Sequence, residues 1–225
     1  MPGDAPIKTL NGHSDGVLSL AFSPCGKFLV SAGEDNEIRL WSVPDGIEIR
    51  SIPAHKGDIR AVVFDPDGGI FASGSWDKSV KIWRTEDCSA VAEAARHDGA
   101  VNCLAFSADG KLLYSGSDDA TIKFFSSPGC ELQGTFDPQM GDIKALAVSP
   151  KGAIAAGGVQ LQFLSPAGVL QKANDEYIYG VRSLAFSPDG ARLAVGTGME
   201  KRLELWDALK MELSGSVKDS DWVNC

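Results

Sequence analysis

HKGDIRAVVFDPDGGIFASGSWDKSVKIW, residues 55–83, decides the fold. It opens at His55, runs through the apolar Val62-Val63-Phe64, turns at Asp65-Pro66-Asp67-Gly68, and closes through Ser73, Asp77 and Trp83. The same pattern stands on either side at a spacing of 42 residues: His13 and His97 flank His55, and Trp41 and Phe125 flank Trp83. These positions use all three histidines of the chain. A fixed period of this length marks a repeat architecture and constrains the fold before any single motif is weighed.

The turn at Asp65 has four counterparts: Ser23-Pro24-Cys25-Gly26, Ser107-Ala108-Asp109-Gly110, Ser149-Pro150-Lys151-Gly152 and Ser187-Pro188-Asp189-Gly190. In chain order the five starts are spaced 42, 42, 42 and 38 residues. Proline presets the second position of such a turn, and glycine takes the positive φ that ends it. Between the turns lie short runs rich in Val, Ile, Leu and Phe, each the length of an ordinary strand. For the first unit the spacing predicts strands at roughly 17–22, 28–32, 37–42 and 47–52. In the first of these, Val17, Ser19 and Ala21 alternate with Leu18, Leu20 and Phe22, which predicts a strand buried on both faces. Helical periodicity is weak. Its one candidate, Ala90 to Arg96, falls where the repeat requires an outer strand.

Gly12-His13 occurs once, with Ala54-His55 and Arg96-His97 as variants, and Trp206-Asp207 is the one Trp-Asp that ends a unit. With the repeat described above, the chain resembles the WD-repeat family of β-propellers from about Ile7 to Cys225. The resemblance implies an all-β propeller of four-stranded antiparallel blades in a single domain, 1–225, with blades at about 13–53, 55–95, 97–136, 139–173 and 177–217. Residues 219–225 then begin a further repeat, because Trp222-Val223-Asn224-Cys225 aligns with Ala100-Val101-Asn102-Cys103. Propellers close on themselves because closure removes exposed strand edges. In the family an N-terminal strand often completes the last blade, and Ile7 to Leu10 is placed to be that strand without a partner blade here. The expectation is a fragment of a six- or seven-bladed ring, the alternative being a closed five-bladed ring with a frayed tail. An open arc would expose an apolar sheet face.

The family's buried tetrad carries over onto His13, Ser31, Asp35 and Trp41 in the first unit and onto His55, Ser73, Asp77 and Trp83 in the second. The third has His97, Ser115 and Asp119, with Phe125 in place of tryptophan. The implied hydrogen-bond chain runs from the indole N–H to Ser, then His, then Asp, satisfying polar groups that burial would otherwise orphan. Ser115 lacks the indole donor, so the third network is expected to be the weaker. A Ser, His and Asp together also suggest a hydrolase triad, but a set repeated at a structural period reads as architecture. The fourth and fifth units depart further. Gln139 and Tyr177 stand at the histidine sites, Phe163 replaces tryptophan, Gly196 replaces serine, Glu200 lies near the aspartate site, and the fourth central turn contracts to Gly157-Gly158-Val159-Gln160. These two blades are expected to rest on sheet packing alone, the fourth being the least regular.

A net charge of −9 disfavours binding along a nucleic-acid backbone. No apolar run reaches the length of a membrane span, and the N-terminus lacks the pattern of a signal peptide. Five scattered cysteines without a C-x-x-C read as free thiols in a reducing compartment, so a cytoplasmic or nuclear location is expected. No H-E-x-x-H, phosphate loop or dinucleotide fingerprint is present, and Asp118-Asp119 and Glu34-Asp35 lack calcium-loop spacing. The chain is expected to be no enzyme, to hold no cofactor or metal, and to bind neither nucleic acid nor membrane.

Binding to proteins or peptides remains. In the family, the residue after the first hydrophobic of each inner strand faces the channel mouth. Here those residues are Leu18, Arg60, Asn102, Lys144, Arg182 and Asn224. Asp58 and Asp142 stand two positions before Arg60 and Lys144 on the same strand face and can neutralise them, whereas Gly180 leaves Arg182 alone. The top face also presents the residue before each turn aspartate: Glu34, Trp76 and Asp118. The expected contact residues are Trp76, Arg60, Arg182, Lys144, Asn102 and Glu34, and the expected role is a non-catalytic scaffold that accepts proteins or peptides, including acidic or phosphorylated segments. The alternative is a regulatory or targeting domain of a larger protein.

Overall fold

A computed structural model describes residues 8–175, 177, 180–198 and 201–218. The segment 219–225, Ile7, Glu200 and Asn224 lie outside the described residues, and with them the expected sixth repeat.

The first sheet comprises β1 (Val17–Phe22), β2 (Phe28–Gly33), β3 (Glu37–Ser42) and β4 (Ile47–Pro53). The second comprises β5 (Ile59–Phe64), β6 (Ile70–Ser75), β7 (Val80–Arg84) and β8 (Ala90–Glu93). The third comprises β9 (Val101–Phe106), β10 (Leu112–Ser117), β11 (Ile122–Ser126) and β12 (Leu132–Phe136). The fourth comprises β13 (Ala145–Val148), β14 (Ile154–Gly157), β15 (Leu161–Leu164) and β16 (Leu170–Asn174). The fifth comprises β17 (Val181–Phe186), β18 (Arg192–Thr197), β19 (Arg202–Asp207) and β20 (Glu212–Lys218). Strands within a sheet pair antiparallel in chain order, and the described residues contain no helix.

The turn glycines do what the sequence requires of them. Gly26, Gly68, Gly110, Gly152 and Gly190 all have φ between 68° and 85°, and each donates its N–H to the first residue of its turn. Ala90–Glu93 is a strand, not a helix, because its register is set by pairing with β7.

The inner strands pack in series, β1 on β5, β5 on β9, β9 on β13 and β13 on β17. Each junction closes over its own apolar cluster. Between the first two sheets, Val30, Ala32, Ile38 and Leu40 face Ile59, Val62, Phe64 and Phe71, all nearly inaccessible. Among the described residues β17 and β1 share no such interface, so the five blades form an open propeller arc.

This corrects one expectation. β1 is not buried on both faces: Leu20 and Phe22 are 62% and 64% exposed, against 6% and 9% for their repeat equivalents Val62 and Phe64. The residue types are right for a two-sided strand, but no described sheet covers that side. Lys8 to Leu10 form no strand; Lys8 instead donates from Nζ to the Asp45 carbonyl, and Lys8 and Leu10 line a cavity with Phe22, Leu29, Trp41 and Val43. The fourth blade has the shortest strands, four residues each in β13, β14 and β15, as its contracted turn dictates.

Candidate functional site

Two polar systems run through the arc, one inside the blades and one at the channel mouth.

Inside the first two blades the indole N–H of Trp41 donates to Ser31 Oγ and that of Trp83 to Ser73 Oγ, both at 2.8 Å. Each serine lies 2.7 Å from the histidine Nε2, and each histidine Nδ1 meets a carboxylate, His13 to Asp35 at 2.8 Å and His55 to Asp77 at 3.1 Å. Because an indole can only donate, the serine hydroxyl hydrogen is free for His Nε2, and Nδ1–H is left for the aspartate. In that arrangement every donor of the chain has an acceptor. In the third blade His97 joins Ser115 at 2.7 Å and Asp119 at 2.8 Å, while Phe125 offers Ser115 nothing. The turn between β2 and β3 and its equivalents aim these carboxylates. Asn36, Lys78 and Ala120 adopt φ of 63° to 74°, which folds the turn back so that Asp35, Asp77 and Asp119 accept the backbone N–H of Ser14, Lys56 and Asp98.

The fourth and fifth blades do not rest on packing alone. The register corrects the expected serine site from Gly196 to Val195, which pairs with Glu204 as Ser73 pairs with Lys81; valine offers no acceptor, so Trp206 needs another, and Glu204 on the facing strand supplies it. Its Oε2 takes the Trp206 indole N–H at 3.0 Å and the Tyr177 hydroxyl at 2.6 Å, all three residues being buried. In the fourth blade the exposed Gln139 leaves the core. Buried Gln162 instead donates to the Pro138 carbonyl at 3.0 Å; it pairs with Ala156 as Lys81 and Lys123, which reach the Ala54 and Arg96 carbonyls, pair with Ser73 and Ser115, and this register puts Leu164 rather than Phe163 at the tryptophan site. Sequence reasoning missed both residues because it followed the tetrad positions. The signal was available: a lone Glu or Gln between apolar neighbours on a strand whose equivalents carry long cations.

Burial pushes the His55 and His97 imidazoles below their ordinary value, against the opposing pull of Asp77 and Asp119. Burial acts to raise Asp77 and Asp119, yet the N–H and hydroxyl donors of their turns and the adjacent histidine hold both well below the usual carboxylate range. The unfolded chain therefore binds more protons than the folded one, first through histidines below about pH 6.5 and then through aspartates below about pH 4. Stability is expected to be flat near neutrality, to fall from about pH 6.5 to 5, and to fall again below about pH 4. Urea midpoints that are equal at about pH 7.5 and pH 5 would contradict neutral buried histidines.

At the channel mouth the structure brings Leu18, Glu34, Arg60, Asn102, Lys144 and Arg182 around one cavity of about 360 Å³. A backbone device places them. Between β1 and β2, β5 and β6, β9 and β10, and β17 and β18, the ladder register slips at Leu18, Arg60, Asn102 and Arg182 respectively. A bulge residue has no partner across the ladder and its side chain is re-aimed. Here four bulges aim four side chains at one opening, and Lys144 stands just before β13.

The turn residues are drawn to the same rim. Backbone N–H groups of Glu34, Trp76 and Asp118 bond the carbonyls of Gly16, Asp58 and Ala100, two residues before the bulge residue of the same blade. Trp76 thereby lies beside Arg60, whose guanidinium carbon sits 4.9 Å from the centroid of its ring, while the indole stays 54% exposed. Arg60 is stacked rather than paired with Asp58. Lys144 pairs with Asp142 at 3.1 Å and also bonds Asp118 from the neighbouring blade. Arg182 is exposed and has no ion-pair partner among the described residues. Trp76 reaches this cavity only through Arg60.

Among the described residues no cluster of His, Cys, Asp and Glu could hold a metal ion, and no helix is long and apolar enough to cross a membrane. Burial pushes the Cys103 thiol up to about 12 and the Cys130 thiol up to about 11.

A family model described as WD domain, G-beta repeat matches residues 4–42, 46–84, 89–126 and 173–207; the irregular fourth blade lies outside these segments. Ribosome assembly protein 4 of Saccharomyces cerevisiae is 49% identical over 41 residues, 18% of this chain and 8% of that protein. Nuclear distribution protein nudF of Aspergillus niger is 48% identical over 40 residues, 18% of this chain and 9% of that protein. Ribosome assembly protein 4 of Chaetomium thermophilum is 43% identical over 44 residues, 20% of this chain and 8% of that protein. The similarity to these relatives is thus one repeat long and spans less than a tenth of each.

Proposed function

The chain belongs to the WD domain, G-beta repeat family, and from that premise we propose that it is a non-catalytic scaffold whose channel mouth and top face bind a protein or peptide. The observation that supports this reading is the convergence of four bulge residues and Lys144 on one opening in a protein of net charge −9. Arg60 and Arg182, which no carboxylate pairs among the described residues, present cations at the mouth of an acidic protein, which favours an anionic segment, acidic or phosphorylated. Blades fixed by paired strands lose little entropy when they bind, so a small set of contacts suffices for useful affinity. Trp76 and Arg182 are the anchors, since exposed Trp and Arg dominate interface energetics. The relatives' names, ribosome assembly and nuclear distribution, accord with work done by assembly in the cytoplasm or nucleus.

The test is affinity purification from a cell extract with the full chain, compared with Trp76→Ala and Arg182→Ala. Each variant is expected to melt like the parent, because neither side chain is buried. Each is expected to lose the enriched proteins about tenfold or more, as truncation of an interface anchor does. Recovery of the same proteins at equal strength by both variants would remove the channel mouth as the binding site.

A further inference from the structure

We propose that Asp118 is a built-in occupant of the anion seat at the channel mouth, and that the ligand group the seat takes is the carboxylate of an acidic peptide, which binds by displacing it. This rests on the channel-mouth reading above and names both its ligand chemistry and its regulation.

Asp118 takes no part in the buried network of its blade, where Asp119 serves His97. Its carboxylate points across the rim to the next blade. One oxygen, Oδ1, accepts a hydrogen bond from Asn102 Nδ2 at 2.6 Å and another from Lys144 Nζ. Both donors line the cavity. Asn102 is held in place by a second bond, from the same Nδ2 to the Ile143 carbonyl at 2.9 Å, so the donor is positioned independently of Asp118. Burial would raise the Asp118 carboxyl, but its bonds to Lys144 and Asn102 and the nearby charges of Lys144 and Arg60 hold it below the usual range, so it sits there ionised.

The other side of the seat is unfilled. Arg60 Nε is buried with no hydrogen-bond partner, and Arg182 has no ion pair among the described residues. The seat is therefore half satisfied by its own protein and half open. An incoming carboxylate meets Arg182 and Arg60 first, then replaces Asp118 at Lys144 and Asn102, one carboxylate for another of the same shape. Asp118 can swing away without unmaking its turn, because that turn is fixed by the Asp118 N–H bond to the Ala100 carbonyl at 2.9 Å. Asp142 also holds Lys144, but from the outside, with a side chain 55% exposed, and such a pair competes weakly. A tethered carboxylate acts at high effective concentration, so it lowers affinity for every acidic ligand and rejects those presenting only one charge.

The probe is a fluorescently labelled hexaglutamate peptide, titrated against the full chain at low ionic strength and read by anisotropy. Asp118→Asn is expected to bind about tenfold more tightly than the parent, and Asp118→Ser to do the same. Asp109→Asn makes the same charge change in the turn between β9 and β10, where Asp109 pairs only with the exposed Lys111 as an ion pair, and is expected to leave binding unchanged. Arg182→Ala is expected to weaken binding about tenfold. If Arg182→Ala weakens binding but both Asp118 variants match the parent, the channel-mouth reading stands and the competitor role of Asp118 is overturned. The same holds if Asp109→Asn tightens binding as much as Asp118→Asn. If Arg182→Ala binds like the parent, or no form binds the peptide, both readings fall.

Discussion

Replacing Asp77 by alanine is expected to cost about 3 kcal/mol or more of folding stability. Its two oxygens accept the His55 Nδ1–H at 3.1 Å, the Lys56 backbone N–H at 2.9 Å, the Ser79 backbone N–H at 3.0 Å and the Ser79 hydroxyl at 2.6 Å. Alanine leaves these donors without an acceptor in a place where water scarcely enters, the aspartate side chain being 10% exposed and that of His55 fully buried. The useful comparison is Asp207, the aspartate that follows the strand-ending Trp206 of the fifth blade. Asp207 accepts only the N–H groups of Leu209 and Lys210, at the exposed end of β19, and its removal is expected to cost about 1 kcal/mol. Urea unfolding followed by tryptophan fluorescence checks both. Equal midpoints for the two variants would show that the buried network contributes no more than an ordinary turn. Since each blade touches only its neighbours, the loss in the second blade is expected to broaden the transition as well as shift it.

The second large effect separates two phenylalanines of identical repeat position. Phe64 closes the junction between the first two blades at 9% exposure, packed against Phe71 with ring centroids 5.7 Å apart. Phe22 ends β1 at 64% exposure. Phe64→Ala is expected to cost about 3–5 kcal/mol, the sum of lost transfer energy and a cavity that stacked sheets cannot collapse. Phe22→Ala is expected to cost less than about 1 kcal/mol in this chain, because little area leaves water there on folding. Chemical denaturation of both variants decides it. Comparable losses would mean that the first blade's outer side is covered in solution.

Much of the architecture was readable because repeats state the same constraint several times. The 42-residue spacing of His13, His55 and His97, and five turns ending in Gly26, Gly68, Gly110, Gly152 and Gly190, leave little freedom in where strands begin and end. The predicted strand at 17–22 and the observed Val17–Phe22 coincide. What the pattern could not tell was whether a sheet lies against β1, since the exposure of Phe22 depends on a neighbour rather than on Phe22. Nor could it show Glu204 taking over from an absent serine, because that substitution crosses from one strand to the next and preserves only the hydrogen-bond count. At the rim, the channel residues could be located by their place in the strand, but the reach of Asp118 to Lys144 spans two blades. Contacts between repeats have no counterpart inside one.

The register slips at Leu18, Arg60, Asn102 and Arg182 have a wider consequence. At each of them the ladder asks nothing of the side chain, so hydrophobe, cation and amide occupy equivalent places without altering the strands around them. Evolution can respell the message at the opening one letter at a time, and the framework that displays it need not change.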